Sequence, residues 1–164
     1  MSKTESIIAI VGPTASGKTE TAILLSEMLQ GEIISADSMA VYRGMDIGTA
    51  KPSAMERTRA RFHVIDIVDP NEKYDAYQFC QDAGAAEAWI RNQFHYPVVC
   101  GGTGLYVKRF LQGYSLTGSP ASPEKRSEIA ARIESEGLPS LYEYLKVIDP
   151  RAAERIHFND RFRI

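Results

Sequence analysis

One loop limits what this chain can fold into more than any other stretch. In "IIAIVGPTASGKTE", Ile7 to Glu20, an apolar run leads into Gly12, and Gly12, Gly17, Lys18 and Thr19 fall on the G-x-x-x-x-G-K-[ST] spacing. The run predicts a buried strand, and Thr19 to Met28 predicts the helix behind it. Glycines let the backbone curl so that its N–H groups face an anion. The helix start adds the positive end of its dipole. Lys18 brings a mobile charge, and Thr19 a hydroxyl for a magnesium ion. Such a loop specifies a phosphate without naming its owner; most loops of this kind hold ATP or GTP.

Strand and helix signals alternate up to about Ser115. Glu32 to Ala36 reads as a second buried strand. Phe62 to Val68 reads as a third, closed by Asp69-Pro70. Tyr74 to Phe94 is a long helical stretch with Phe79, Ala83, Ala86 and Ile90 at helical spacing. Tyr96 to Cys100 is another strand, followed by "GGTG" and a short helix from Leu105 to Gln112. This alternation predicts an α/β fold, a P-loop NTPase-like parallel sheet with helices on both faces. Ligands of such sheets sit beyond the carboxyl ends of the strands. The loop, Asp37 and "GGTG" all follow strand ends, so they are expected to share one crevice.

The composition changes at "TGSPASPEK", which reads as a linker. Only helical signals follow. Ser122 is a candidate N-cap with Pro123 at the first helical position, and Gly137 a stop. Leu141, Leu145 and Ile148 form the stripe of a second helix. Asp149-Pro150 restarts a third through Ile156, and Asn159 is placed to cap a fourth. The expected organisation is a partial catalytic core over 1–118 and the start of a helical insertion lobe over 119–164.

A chain of 164 residues buries one core and a small second lobe. Hydrophobic content of 44% and charged content of 24% are ordinary for a soluble globular protein. No apolar run reaches the length of a membrane span, and "MSKTES" lacks the apolar region of a secretory signal. Cys80 and Cys100 have no metal-ligand spacing; with the phosphate loop they point to packed thiols in a reducing cytoplasm. A net charge of −2 argues against a generic nucleic-acid binder. The stretch from Arg43 to Arg61 nevertheless carries Arg43, Lys51, Arg57, Arg59 and Arg61 against Asp46 and Glu56. It reads as a solvated helical face or as a phosphate-facing surface.

Asp37 ends a buried strand. A carboxylate there can bind magnesium through water or act as a general base toward a substrate held against the loop. It can equally be a turn aspartate before Ser38. The run from Asp37 to Pro52 is too long and mixed for an ordinary helix start, which favours a substrate loop. The glycines before Thr103 allow close backbone approach, and Thr103 offers a hydroxyl and an N–H near the next helix. His63 beside Asp66 reads as a catalytic pair or as a packed strand histidine, with Asp66 and Asp69 shaping the turn at Pro70. Met39, Tyr42 and Met45 line an apolar pocket or belong to the core.

"GPTASGKT", "SADSM-VYRGMDIGTAKP", "H-IDI-DP", "GGTGLY" and "DP-AA-RIH-ND" occur here in an order and spacing that resembles the tRNA dimethylallyltransferases. The resemblance covers essentially the whole chain. It implies transfer of a dimethylallyl group from dimethylallyl diphosphate to N6 of the adenosine on the 3′ side of the anticodon in tRNA, with release of diphosphate. It casts Asp37 as the base that takes the N6 proton. Lys18, the loop Gly12, Pro13, Thr14, Ala15, Ser16 and Gly17, and a magnesium ion on Thr19 would hold the departing diphosphate. It assigns Thr103 to catalysis as well as to tRNA contact. Further tRNA contacts map to Asp37, Ser38, Met39 and Ala40, to Arg126, and to Arg161, Phe162, Arg163 and Ile164, and the adenine must leave its stack to react. The resemblance further implies a cytoplasmic enzyme, read here as a monomer without a membrane partner. The chain departs from the family pattern at Ala40, where members commonly carry glutamine, and at Phe158, where proline is usual. Its length matches the amino-terminal half of such proteins. The rival readings are a P-loop small-molecule kinase, and a diphosphate-binding module without turnover.

Overall fold

The structure, a computed structural model, describes residues 6–113 and 122–164. The chain divides into two compact units, Met1–Ser115 and Leu116–Ile164. The first contains β1 (Ile8–Val11), α1 (Lys18–Leu29), β2 (Gly31–Ser35), α2 (Ala54–Arg59), β3 (Phe62–His63), α3 (Ala76–Asn92), β4 (Tyr96–Gly101) and α4 (Gly104–Leu111). The second contains α5 (Pro123–Glu136), α6 (Leu138–Ile148) and α7 (Pro150–Ala153).

The four strands are parallel in the order β1-β4-β2-β3. β4 pairs with β1 from Ile8–Val98 to Val11–Gly101, and with β2 from Gly31–Tyr96 to Ser35–Cys100. These two inner strands are buried on both faces, which is why their apolar runs do not alternate with polar residues. On one face Ile33, Val98 and Cys100 pack with Ala22 and Ile23 of α1. On the other, Ile34, Ala36 and Val99 pack with Phe79, Ala83 and Ile90 of α3 and with Tyr106 and Val107 of α4. Phe79 stacks on Tyr106 with ring centroids 4.5 Å apart. The parallel sheet with helices on both faces is therefore as the sequence predicts.

The third strand is much shorter than Phe62 to Val68. Only Phe62 and His63 pair with β2. Val64 and Asp66 then adopt left-handed φ of 59° and 54°, which turns the chain off the sheet edge. The segment beyond bonds instead to the residues after β2: Asp66 N–H donates to Ala40 O at 3.2 Å and Ile67 N–H to Val41 O at 2.9 Å. Helix α2 falls within the Arg43–Arg61 stretch that reads as a helical face, but no bounds follow from that reading. Its signal is a capping box, in which Ser53 accepts from the Glu56 amide and the Glu56 carboxylate takes the Ser53 N–H. A second box, Asp75 with Gln78, starts α3 at Ala76 rather than Tyr74.

In the second unit Ser122 caps α5 by accepting from Lys125 N–H, and Gly137 ends it at φ 82°. The expected stripe of α6 is narrower than Leu141, Leu145 and Ile148: Leu141 is buried, while Ile148 is 60% exposed. No fourth helix follows Asn159. Residues 157–164 form turns, with Asp160 N–H bonded to His157 O at 2.8 Å and Arg163 N–H to Asp160 O at 3.1 Å.

Candidate functional site

Three strands deliver three loops to one end of the sheet. β1 leads into the phosphate loop, β2 into Asp37, and β4 into "GGTG". All three line a single crevice of about 420 Å³, as the sequence implies, with Thr14 to Glu20, Asp37, and Cys100 to Gly102 among its walls. In the phosphate loop Ala15 and Gly17 take left-handed φ of 63° and 82°. Gly17 caps α1 with no side-chain bond, which leaves backbone N–H groups at the helix start for a ligand. Lys18 is the first residue of α1, and its Nζ folds back to Pro13 O at 2.5 Å. Gly12 lies so close to Ser16 that a Cβ there would sit 3.1 Å from the Ser16 hydroxyl.

The glycines after β4 serve close packing of the chain on itself. A Cβ on Gly101 would lie 2.0 Å from Ala36 O. That proximity lets Ala36 N–H donate to Cys100 O at 2.8 Å and Thr103 N–H to Ala36 O at 3.2 Å. Thr103 then turns its hydroxyl to Ser38: Oγ1 accepts from Ser38 N–H at 3.0 Å and donates to Ser38 Oγ at 3.3 Å. Both groups that the sequence assigns to Thr103 are thus engaged in fixing the chain around Asp37. Asp37 Oδ1 accepts from Met39 N–H at 2.8 Å and Ala40 N–H at 3.2 Å. It is a turn aspartate through one oxygen, while Oδ2 makes no hydrogen bond among the described residues. Ala40 is 3% exposed, so its methyl is part of the crevice wall.

Apolar residues also line the crevice, among them Met39, Ala50, Pro52, Phe62 and Ile33. Cys100 also faces the crevice. Burial pushes its thiol up to about 11, ahead of the opposing pull of Lys18, so it stays protonated and unreactive. Among the described residues no group of three or more His, Cys, Asp or Glu side chains is placed to hold a metal. Thr19, the expected magnesium ligand, lines the crevice together with Asp37, and an ion held there would take its remaining oxygens from ligand phosphates and water.

Other expected pairings are not formed. His63 does not meet Asp66; its Nε2 lies 2.6 Å from Glu32 Oε2, and His95 Nδ1 lies 2.6 Å from Glu32 Oε1. The basic stretch is neither a plain solvated helix face nor an open phosphate surface. Arg43 pairs with Asp69, Lys51 with Asp46 and Asp66, and Arg57 with Asp66. Arg59 bridges Glu20 and Glu27 of α1, and Arg61 lies 4.0 Å from the Trp89 ring centroid and 3.7 Å from Glu32. Sequence reading treated Glu32 as part of a buried strand and missed that it gathers two imidazoles. The available signal is a carboxylate at the head of an apolar strand.

The remaining tRNA candidates lie in the second unit. Arg126 is exposed on the first turns of α5. Arg161 pairs with Glu134 at 2.8 Å, Arg163 pairs with Asp160, and Phe162 is 99% exposed. Phe158 packs against His157, with ring centroids 4.4 Å apart.

The sequence matches the family described as IPP transferase over residues 40–164, and that described as isopentenyl transferase over residues 5–67. It is 49% identical over 159 residues to tRNA dimethylallyltransferase 2 of Geotalea uraniireducens, covering 96% of this chain and 51% of that one. The structure is similar to the full-length tRNA isopentenylpyrophosphate transferase of Bacillus halodurans, with a TM-score of 0.67 at 44% identity over 96% of this chain and 52% of that one. It is also similar to a eukaryotic dimethylallyltransferase acting on tRNA, with a TM-score of 0.80 at 29% identity over 94% of this chain and 38% of that one. The chain spans about half the length of the curated relatives it matches.

Proposed function

The chain belongs to the IPP transferase family, and on that premise we propose that it carries the donor site of a tRNA dimethylallyltransferase. Its substrates would be dimethylallyl diphosphate and a tRNA whose adenosine on the 3′ side of the anticodon receives the five-carbon group at N6. The observation that carries this reading is the crevice itself. It is lined by the phosphate loop with Lys18, by Asp37 at the end of β2, and by the apolar Met39, Ala50, Pro52 and Phe62. A charged head and a branched hydrocarbon tail find groups of both kinds in one crevice.

In the reaction the N6 nitrogen forms a bond to the allylic carbon, the carbon–oxygen bond to diphosphate breaks, and N6 loses a proton. Asp37 accepts that proton through Oδ2, because Oδ1 is held by the Met39 and Ala40 amides. The loop amides and Lys18, once it leaves Pro13 O, take up charge that develops on the leaving group. Thr19 would hold a magnesium ion, which when bound would supply further neutralisation of the diphosphate. Thr103 keeps Ser38, and so Asp37, in place. The two free thiols accord with a cytoplasmic setting, in which the enzyme acts as a monomer. Among the described residues no helix is long and apolar enough to cross a membrane.

The test incubates the chain with tRNA, magnesium and dimethylallyl diphosphate, and weighs the nucleosides after digestion. Adenosine heavier by one dimethylallyl group supports the reading. Calorimetry with dimethylallyl diphosphate and with ATP is the second arm. Tight ATP binding without affinity for the prenyl diphosphate would favour a kinase instead.

A further inference from the structure

Lys51 lies on the segment between β2 and α2, yet its side chain is only 3% exposed. Its Nζ donates to Tyr42 O at 2.5 Å, to Asp46 Oδ1 at 2.9 Å and to Asp66 Oδ1 at 2.7 Å. An ammonium group has three hydrogens to donate, and all three are placed. The other oxygen of Asp66 accepts from Arg57 at 2.6 Å, and Arg57 Nε donates to Pro52 O at 3.0 Å. Two cations and one carboxylate thus tie both ends of the 42–52 loop to the chain that follows β3.

Beyond Arg43, that loop has little else to hold it. Gly44, Gly48 and Ala50 take left-handed φ of 70°, 77° and 50°, and Ile47 is 99% exposed. Among the described residues no backbone amide from 44 to 52 donates to a backbone carbonyl. At its start the Arg43 amide donates to Val68 O at 2.8 Å and the Arg43 guanidinium to Asp69 and Ile67 O; the bonds that shape the rest come from side chains, Lys51, Arg57, and the Thr49 hydroxyl on Met45 O at 2.6 Å. Gly48, Thr49, Ala50 and Pro52 of this same loop line the crevice. Burial opposes charge on Asp66, but its bonds to Lys51 and Arg57 outweigh this and hold its carboxyl below the usual range. Burial likewise opposes charge on Lys51, and its bonds to Asp66 and Asp46 outweigh this and raise its ammonium above the usual range, so Lys51 and Asp66 meet as an ion pair at neutral pH.

We propose that Lys51 is a positioning residue: with Asp66 and Arg57 it fixes the Gly48–Pro52 wall, and so governs binding of the prenyl end of the donor while the phosphate loop governs the diphosphate end. This rests on the reading of the crevice as a prenyl diphosphate site. Lys51 itself touches no substrate, since its three donors are committed. Its effect should fall on recognition of the hydrocarbon and leave the anion contacts alone.

The test compares Lys51→Met with the parent chain in two ways. Calorimetry measures dimethylallyl diphosphate beside inorganic diphosphate, which has no hydrocarbon. The variant is expected to weaken the first by about tenfold, near 1.4 kcal/mol, and leave the second within roughly twofold. Hydrogen exchange without ligand reads the amides of Arg43, Asp66 and Ile67, which are bonded across the tied segments, against those of β4. Faster exchange confined to the first group is expected. Lys51→Arg keeps the charge but presents a planar fork to three spread acceptors, and is expected to fall between the two. If Lys51→Met does not fold, Lys51→Arg carries the same comparison. Equal weakening of both ligands, or unchanged exchange at Arg43, Asp66 and Ile67, overturns the inference. A parent chain that binds neither diphosphate refutes the crevice reading instead, and the ligand-free exchange then decides alone whether Lys51 is the latch.

Discussion

Asp37→Asn and Asp37→Ala separate the turn role that the structure shows at Oδ1 from the base role proposed for Oδ2. Oδ1 accepts two backbone amides, from Met39 at 2.8 Å and Ala40 at 3.2 Å, and those bonds shape the turn that leads into the crevice wall. An asparagine keeps a carbonyl oxygen in that place, so the turn survives. Its amide nitrogen replaces Oδ2 and cannot accept a proton. An alanine removes both roles. A hydrogen bond to a charged group contributes about 1.5–3 kcal/mol, and for a partly exposed pair sharing one oxygen we take about 2 kcal/mol in all. That corresponds to a fall of roughly 4–8 °C in melting temperature for a chain of this size. The asparagine variant is expected to melt roughly 2–4 °C below the parent, because both amide bonds persist but lose the charge that roughly doubles their strength. Both variants should lose roughly 10²–10⁴-fold in prenyl transfer, the usual share of a general base. The assay pairs thermal unfolding by circular dichroism with single-turnover transfer to tRNA. An asparagine variant within a few-fold of parental turnover would refute the assignment of the base. An alanine variant as stable as the parent would refute the turn.

Lys18→Ala should keep the fold and lose roughly 10-fold to 100-fold in affinity for inorganic diphosphate by calorimetry, the scale of one charge-assisted contact. Gly101→Ala drives a Cβ to 2.0 Å from Ala36 O, so it is expected to cost about 3 kcal/mol or more and to show as a large loss of soluble, folded protein. Glu32→Gln is expected to cost about 2 kcal/mol at pH 7, measured by urea unfolding, because each carboxylate oxygen holds an imidazole. The cost should depend on pH. Burial opposes ionisation of Glu32, yet the bonds to His63 and His95 prevail and set its carboxyl below the ordinary 4.5. A depressed carboxyl stabilises the fold above its unfolded value and loses that contribution as pH falls through the folded one. The gap between parent and variant should therefore narrow below about pH 4.5; a constant gap would count against the ionic account.

The sheet and its crevice were legible because they rest on strong local signals. The apolar runs of β2 and β4 admit no other reading once a glycine loop and a helix follow β1. What could not be read depended on partners distant in sequence. Phe62 to Val68 has the composition of a full strand, but the amides of Asp66 and Ile67 find Ala40 and Val41 instead of β2. The glycines of "GGTG" announce a close approach without saying to what; the answer, Ala36, lies 65 positions before Gly101. Ser53 and Glu56 carry a local signal for α2, an S-x-x-E box, within the Arg43–Arg61 stretch whose reading rests on its charge alone. Asp37 read as either a turn residue or a base, and the geometry gives an oxygen to the turn and leaves another open. Asn159 had the residue type of a cap without an apolar stripe after it, and no helix forms there.

The paired arginines between β2 and β3 bear on how this surface would answer to salt. A cation that approaches a nucleic acid from open solvent gains from the small ions the phosphates release, and each such contact steepens the fall of affinity with ionic strength. Arg43, Arg57 and Arg59 already have carboxylate partners, and Arg61 has an aromatic ring beneath it. A phosphate arriving here must displace Asp69, Asp66 or Glu20. The exchange swaps one fixed anion for another and releases the carboxylate to gather ions of its own. Binding through this stretch would be set by fit, and a plot of log affinity against log salt would be flatter than its five positive charges suggest.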